Sequence, residues 1–128
     1  MATRGVGVDV VDVARFALAL ERQPRIAARL FTESERHDAA ARPERLAARF
    51  AAKEAVLKSL RVGIGAARWH SIEIQRDSSG APSVQLHGDA AELAARAGIV
   101  RLHLSMTHTQ HTAAAFVVAS DEDDHDAR

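Results

Sequence analysis

At 128 residues the chain can bury one core but not two, and 47% apolar with 27% charged residues is the balance of a soluble globular domain. It has no cysteine, which excludes disulfides, thiolate chemistry and cysteine-based zinc sites; no apolar run approaches membrane-spanning length and no signal-peptide pattern opens it, so a cytoplasmic location is expected. Seventeen bases balance seventeen acids, yet the tail DEDDHDAR from Asp121 to Arg128 holds five of the acids and one base, which leaves residues 1–120 at +4 and favours anionic partners.

Thr3 to Val11 reads as a strand whose alternation puts Val6, Val8 and Val10 on one face and Gly5, Gly7 and Asp9 on the other. A lone carboxylate thus projects from a face without other side chains, where a metal or phosphate can approach closely. An edge strand with Asp9 in a turn bond fits the same pattern. Asp12 is placed to cap a helix from Val13 to Arg22, with Val13, Phe16, Ala17 and Leu20 inward and Arg15 and Arg22 outward. Gln23-Pro24 breaks it, and a short helix from Arg25 to Leu30 adds Arg25 and Arg29 to a basic platform that in most proteins is a solvated face. Thr32 and Glu35 form a capping box opening another short helix towards Ala41.

The longest helical signal runs from Leu46 to Leu60, started by Pro43 and Glu44 and ended by Gly63 and Gly65. Leu46, Phe50, Leu57 and Leu60 share a stripe with Val56 and Arg49 at its edge, Glu54 and Lys58 pair at i, i+4 on the opposite flank, and the alanines with Ser59 leave a face that another backbone can approach. Lys53 falls inside the stripe. Its ammonium must reach a carboxylate, a phosphate or water, because an unpaired buried charge costs several kcal/mol; a snorkelling lysine beside a surface ion pair is the plainer reading.

Ser71 to Arg76 and Ser83 to His87 read as a hairpin across Asp77 to Gly80, Gly88 to Ala97 as a helix stopped by Gly98, and Val100 to Thr107 with Ala113 to Ser120 as a second hairpin. Beyond Ser120 the acidic composition predicts disorder, so the expectation is a single domain over residues 1–120 and a tail over 121–128. His108 and His111 lie on a turn without a third metal ligand, the glycines near Gly5 do not complete a dinucleotide fingerprint, and no P-loop, hydrolase elbow or zinc-protease helix is present. One Trp, four Phe and no Tyr offer little stacking surface for nucleic acid.

Taken together and in this order, GVGVDVVDVARF, RFAAKEAVLKSL and LSMTHTQHTAAAFVV resemble the holo-acyl-carrier-protein synthases, the small group of the 4′-phosphopantetheinyl transferases, over nearly the whole chain to about Ala119. The resemblance implies an α+β fold, a small antiparallel sheet packed with a long central helix, assembled as a homotrimer with its active sites between subunits. It implies Mg²⁺-dependent transfer of 4′-phosphopantetheine from coenzyme A to a serine of an apo acyl carrier protein, releasing adenosine 3′,5′-bisphosphate.

By the same resemblance Asp9 and Glu54 are the magnesium ligands and, with Lys58, the catalytic set. Lys58 meets the pyrophosphate, Arg49 and His108 the nucleotide end with its 3′-phosphate, and Lys53, Gly65 and Thr109 join them at the coenzyme; Arg15, Arg22 and Arg25 dock the carrier's acidic helix. Two carboxylates suit Mg²⁺, which takes one or two and leaves positions for phosphate and water. A metal-bound water or a carboxylate near Asp9 would take the serine proton. The chain departs from the family at Arg61, where relatives often have glycine, at Thr109, and in its tail. A trimeric module that binds coenzyme A or a carrier without transfer is the alternative; keeping both carboxylates and Lys58 argues against it.

Overall fold

The computed structural model describes residues 1–121 and shows an α+β domain built around one long helix. In chain order it comprises β1 (Thr3–Asp12), α1 (Val13–Arg22), α2 (Arg25–Leu30), α3 (Glu33–Asp38), α4 (Pro43–Ser59), a single 3₁₀ turn (Trp69–Ser71), β2 (Ile72–Arg76), β3 (Pro82–Leu86), α5 (Gly88–Arg96), β4 (Arg101–His108) and β5 (Thr112–Ser120). β1, β5 and β4 form an antiparallel sheet in that spatial order, so the first and last strands pair directly, Val6 with Val118 and Asp9 with Ala115. β2 and β3 form a separate hairpin.

α4 packs one side against this sheet and others against α1, α3 and β2. It is therefore buried nearly all round, where the apolar stripe read from sequence covers only part of its circumference. The difference lies in its alanines: Ala47, Ala51, Ala52 and Ala55 are fully buried, and small residues let neighbouring backbones approach closely without needing large apolar groups. The closest approach is made by β1. A Cβ on Gly7 would lie 1.9 Å from the Ala55 carbonyl oxygen, and one on Gly5 2.0 Å from that of Ser59, so only glycine fits either position.

α4 ends as a Schellman turn, with Arg61 N–H donating to the Lys58 carbonyl and Val62 N–H to that of Leu57. Arg61, at φ 62°, occupies the left-handed position that glycine ordinarily fills. α3 stops at Asp38, short of Ala41, because Ala40 and Ala41 turn to positive φ and redirect the chain into Pro43 at the start of α4. The C-terminal edge of the domain is tied down: Asp121 accepts from Ala2 N–H at 2.8 Å and from Arg4 Nε at 3.1 Å. Thus the expected disordered tail loses its first residue to the fold, and the rest lies outside the described residues. Among those described, no helix is long and apolar enough to cross a membrane.

Candidate active site

The alternation of β1 carries Asp9 on the same side as Gly5 and Gly7, so the glycine contact with α4 brings its carboxylate down onto the helix. There it meets two side chains spaced one turn apart. Lys58 Nζ donates to Asp9 Oδ1 at 3.1 Å and to the Val8 carbonyl at 2.9 Å. Glu54 stands beside Asp9, and burial followed by the neighbouring Asp9 charge pushes its carboxyl up to about 7. A proton on Glu54 hydrogen-bonds to Asp9; with both groups ionised, Asp9 Oδ2 is buried without a donor.

Such a pair calls for a proton or a cation between its members. No cluster of three or more histidines, cysteines or acids that could hold a metal occurs among the described residues, so a bound ion would have two protein carboxylates and otherwise water or phosphate oxygens. That donor set suits Mg²⁺. Phe50, one turn before Glu54 on the same face, stacks on Phe16 and leans on Trp69, each at 5.3 Å between ring centroids. An aromatic wall therefore adjoins the carboxylates. Its signal in the sequence was the i, i+4 spacing of Phe50, Glu54 and Lys58, read there only as core stripe and salt bridge.

Lys53, which the resemblance places at the coenzyme, meets a carboxylate inside the subunit. Its side chain is fully buried and pairs with Glu35, also fully buried, at 2.8 Å, while donating to the Trp69 carbonyl at 2.9 Å. Glu35 also accepts from Thr32 N–H and Ile74 N–H, each at 2.8 Å. The capping-box glutamate was visible in the sequence, but its second task as the lysine's counter-ion was not, because the two residues meet only when α3 folds onto α4. Burial holds the Lys53 ammonium below the usual lysine range, with Glu35 acting against it. A phosphate would have to displace this carboxylate to reach it.

Arg49 is as buried, at 1% exposure, but no carboxylate pairs with it among the described residues. Nη1 donates to the Arg45 carbonyl at 3.2 Å and Nε has no partner. Burial, then the nearby Arg76 charge, lowers its pKa. Five residues separate it from Glu54, about 140° around the helix, so the two point to different sides. His108 is exposed at the end of β4, level with Ala113 and Val11 and on the α4 side of the sheet, roughly 12 Å from Asp9 between Cα atoms by strand spacing and rise. The Thr109 hydroxyl is taken up by its own turn, accepting from His111 N–H and Thr112 N–H, and Gly65, at φ 97°, lies in the exposed turn beyond Lys58. Arg15, Arg22, Arg25 and Arg29 all face solvent on α1 and α2, immediately after the strand that holds Asp9.

Comparison with known proteins fits this geometry. The family model of the 4′-phosphopantetheinyl transferase superfamily matches residues 5–117. The chain belongs to that superfamily. It is 56% identical over 119 residues to the holo-[acyl-carrier-protein] synthase of Frankia casuarinae, covering 93% of this chain and 98% of the relative. Among solved structures it resembles the acyl carrier protein synthase of Mycobacterium tuberculosis, with 37% identity, TM-score 0.76 and coverage of 94% and 100% of the two chains. The Helicobacter pylori holo-[acyl-carrier-protein] synthase, solved in complex with coenzyme A, matches with 31% identity, TM-score 0.82 and coverage of 90% and 99%. Within the superfamily, its group is the holo-acyl-carrier-protein synthases.

Proposed function

We infer that this chain transfers the 4′-phosphopantetheine arm of coenzyme A to a serine of an apo acyl carrier protein; the relatives it matches are named holo-[acyl-carrier-protein] synthases. The observation that carries the reading is the meeting of Asp9, Glu54 and Lys58, residues of one strand and one helix brought together by the glycine contact. Asp9 and Glu54 would hold Mg²⁺, which supplies positive charge to the diphosphate as the phosphorus centre passes from one oxygen to another. Lys58, with its side chain 53% exposed, extends a second positive charge from the same face towards those oxygens.

The remaining assignments follow the same reading. Arg49 is a buried cation that no carboxylate pairs with among the described residues, which favours an anion such as the 3′-phosphate of the nucleotide; His108 stands at the open end of β4, with Thr109 in the turn that follows it and Gly65 in the turn beyond α4. The exposed arginines of α1 and α2, including Arg15, Arg22 and Arg25, suit an acidic carrier surface. Assembly as a cytoplasmic homotrimer, with each site completed across a subunit boundary, fits the uncovered outer face of the sheet, where Val6, Val8 and Val10 are each more than half exposed.

The test is incubation with coenzyme A, Mg²⁺ and an apo carrier, read by intact mass. The carrier should gain one phosphopantetheine in the presence of Mg²⁺ and none with a chelator. A carrier that a known transferase modifies but this protein leaves unchanged would overturn the reading.

A further inference from the structure

The arginines that suit an acidic carrier sit on two helices, and the two are tied to the carboxylates in different ways. α1 follows β1 without a break: Asp12 accepts from Arg15 N–H at 2.9 Å, Val13 N–H donates to the His111 carbonyl at 2.9 Å, and Phe16 stacks on Phe50 of α4. Arg15 is therefore held in register with Asp9. α2 is placed differently. It starts beyond the Gln23-Pro24 break, is six residues long, and opens at Pro24 without a side-chain cap. A helix this short takes its order from what it packs on, and α2 packs on α1 and on the 3₁₀ turn that carries Trp69. Leu30 is its one buried residue before Phe31 enters the core. Apolar burial at one end holds the helix down but is non-directional, and does not fix which way its arginines point.

A directional contact comes from His70. Its Nε2 lies 2.7 Å from the Ala28 carbonyl oxygen, and since a carbonyl only accepts, Nε2 carries the proton. Ala28 is in the last turn of α2, where carbonyls lack partners within the helix; Phe31 N–H takes that of Ala27, and the imidazole takes the next. The turn that carries His70 is itself fixed. Ser71 N–H donates to the Arg68 carbonyl at 3.0 Å, the Ser71 carbonyl accepts from His87 N–H at 2.8 Å, and the Trp69 ring leans on Phe50, one turn of α4 before Glu54. Arg25, Ala28 and Arg29 recur at i, i+3 and i+4, so the bond is made on the exposed face of α2 that presents its two arginines. We propose that His70 is a positioning residue for the carrier: it holds α2 to the Trp69 turn, so that Arg25 and Arg29 seat an acidic partner in register with Asp9 and Glu54. The inference rests on the carrier reading above. A serine that must come within roughly 3–3.5 Å of the phosphorus leaves little play for the surface that seats its protein. Without the bond α2 turns more freely and docks the carrier more weakly, while Arg49, Glu54 and Lys58 on α4 keep their places.

Steady-state kinetics on the full chain with Mg²⁺, varying coenzyme A and an apo acyl carrier protein in turn, test this alongside thermal melts. His70→Ala should raise KM for the carrier about three- to tenfold, the span of one hydrogen bond, with kcat and KM for coenzyme A unchanged. His70→Gln keeps an N–H donor and should restore most of the loss. With Arg25→Ala and Arg29→Ala already in place, adding His70→Ala should cost little more, because the groups it orients are gone. A His70→Ala variant with the wild-type carrier KM overturns the proposal, as does a His70→Gln variant no better than alanine. So does a loss that persists in full without the two arginines, which places the imidazole on the carrier itself, or a rise in both KM values with a lowered melting temperature, which is general loosening. If neutralising Arg25 and Arg29 leaves the carrier KM unchanged, docking on α2 falls and the role of His70 with it, while transfer stands. A wild type that transfers nothing overturns the transferase reading and this inference together.

Discussion

At the scale of single residues, the Asp9–Glu54 pair sets stability and activity against each other. Glu54 binds its proton more tightly in the folded protein, near pH 7, than at the ordinary value of 4.5 in the unfolded chain. The sign follows from linkage: metal-free protein gains stability from protonated Glu54 in acid, and that gain is lost as the pH rises through 7. Glu54→Gln should therefore raise the thermal stability of metal-free protein at pH 8 by about 1 kcal/mol, discounted for the partial exposure of the group, while transfer falls by at least about 100-fold. Calorimetry in chelator at pH 6 and pH 8 checks the first and a turnover assay the second; equal stabilisation at both pH values would contradict the assignment. Arg61 offers a separate change. Its left-handed φ imposes a strain that glycine does not carry, so Arg61→Gly should stabilise the domain by roughly 0.5–1 kcal/mol in urea unfolding. The sequence exposed this position only as a departure from the family pattern; the physical content is the turn that follows Lys58.

Elements explain why the partner of Lys53 stayed hidden in the sequence. Periodicity correctly put it inside the apolar stripe of α4, and chemistry correctly required a partner for its charge. What a single helix cannot disclose is which neighbour folds against it, and the partner came from α3, eighteen residues upstream. Lys53→Ala should cost about 3–5 kcal/mol, since it leaves Glu35 charged and buried, whereas Lys53→Met combined with Glu35→Gln should recover much of that loss. Transfer by whatever fraction remains folded should be little changed in either variant, and chemical denaturation alongside active-site titration separates the two effects. A loss of turnover without loss of stability in Lys53→Met would return this lysine to the coenzyme. The strands and helices themselves were legible because alternation, capping residues and glycine stops all agreed. The full burial of α4 was less so, because alanine is compatible with both surface and core.

Across the whole molecule, charge is divided by region: arginines on α1 and α2, carboxylates at the β1–α4 contact, a neutral outer sheet. Arg15→Glu should raise KM for an acidic carrier several-fold with kcat nearly unchanged, and the defect should shrink as salt rises, because exposed charges are screened within about 10 Å at 0.1 M. Steady-state kinetics at low and high ionic strength decide it. The pairing of β1 with β5 bears on how the enzyme is made. Asp9 is translated about a hundred residues before Ala115, its pairing partner on β5. The carboxylates of Asp9 and Glu54 therefore cannot be fixed in place co-translationally by a fragment that stops short of β5, and a nascent chain from which β5 has not emerged presents β1 as an unpaired edge, open to aggregation until that strand arrives.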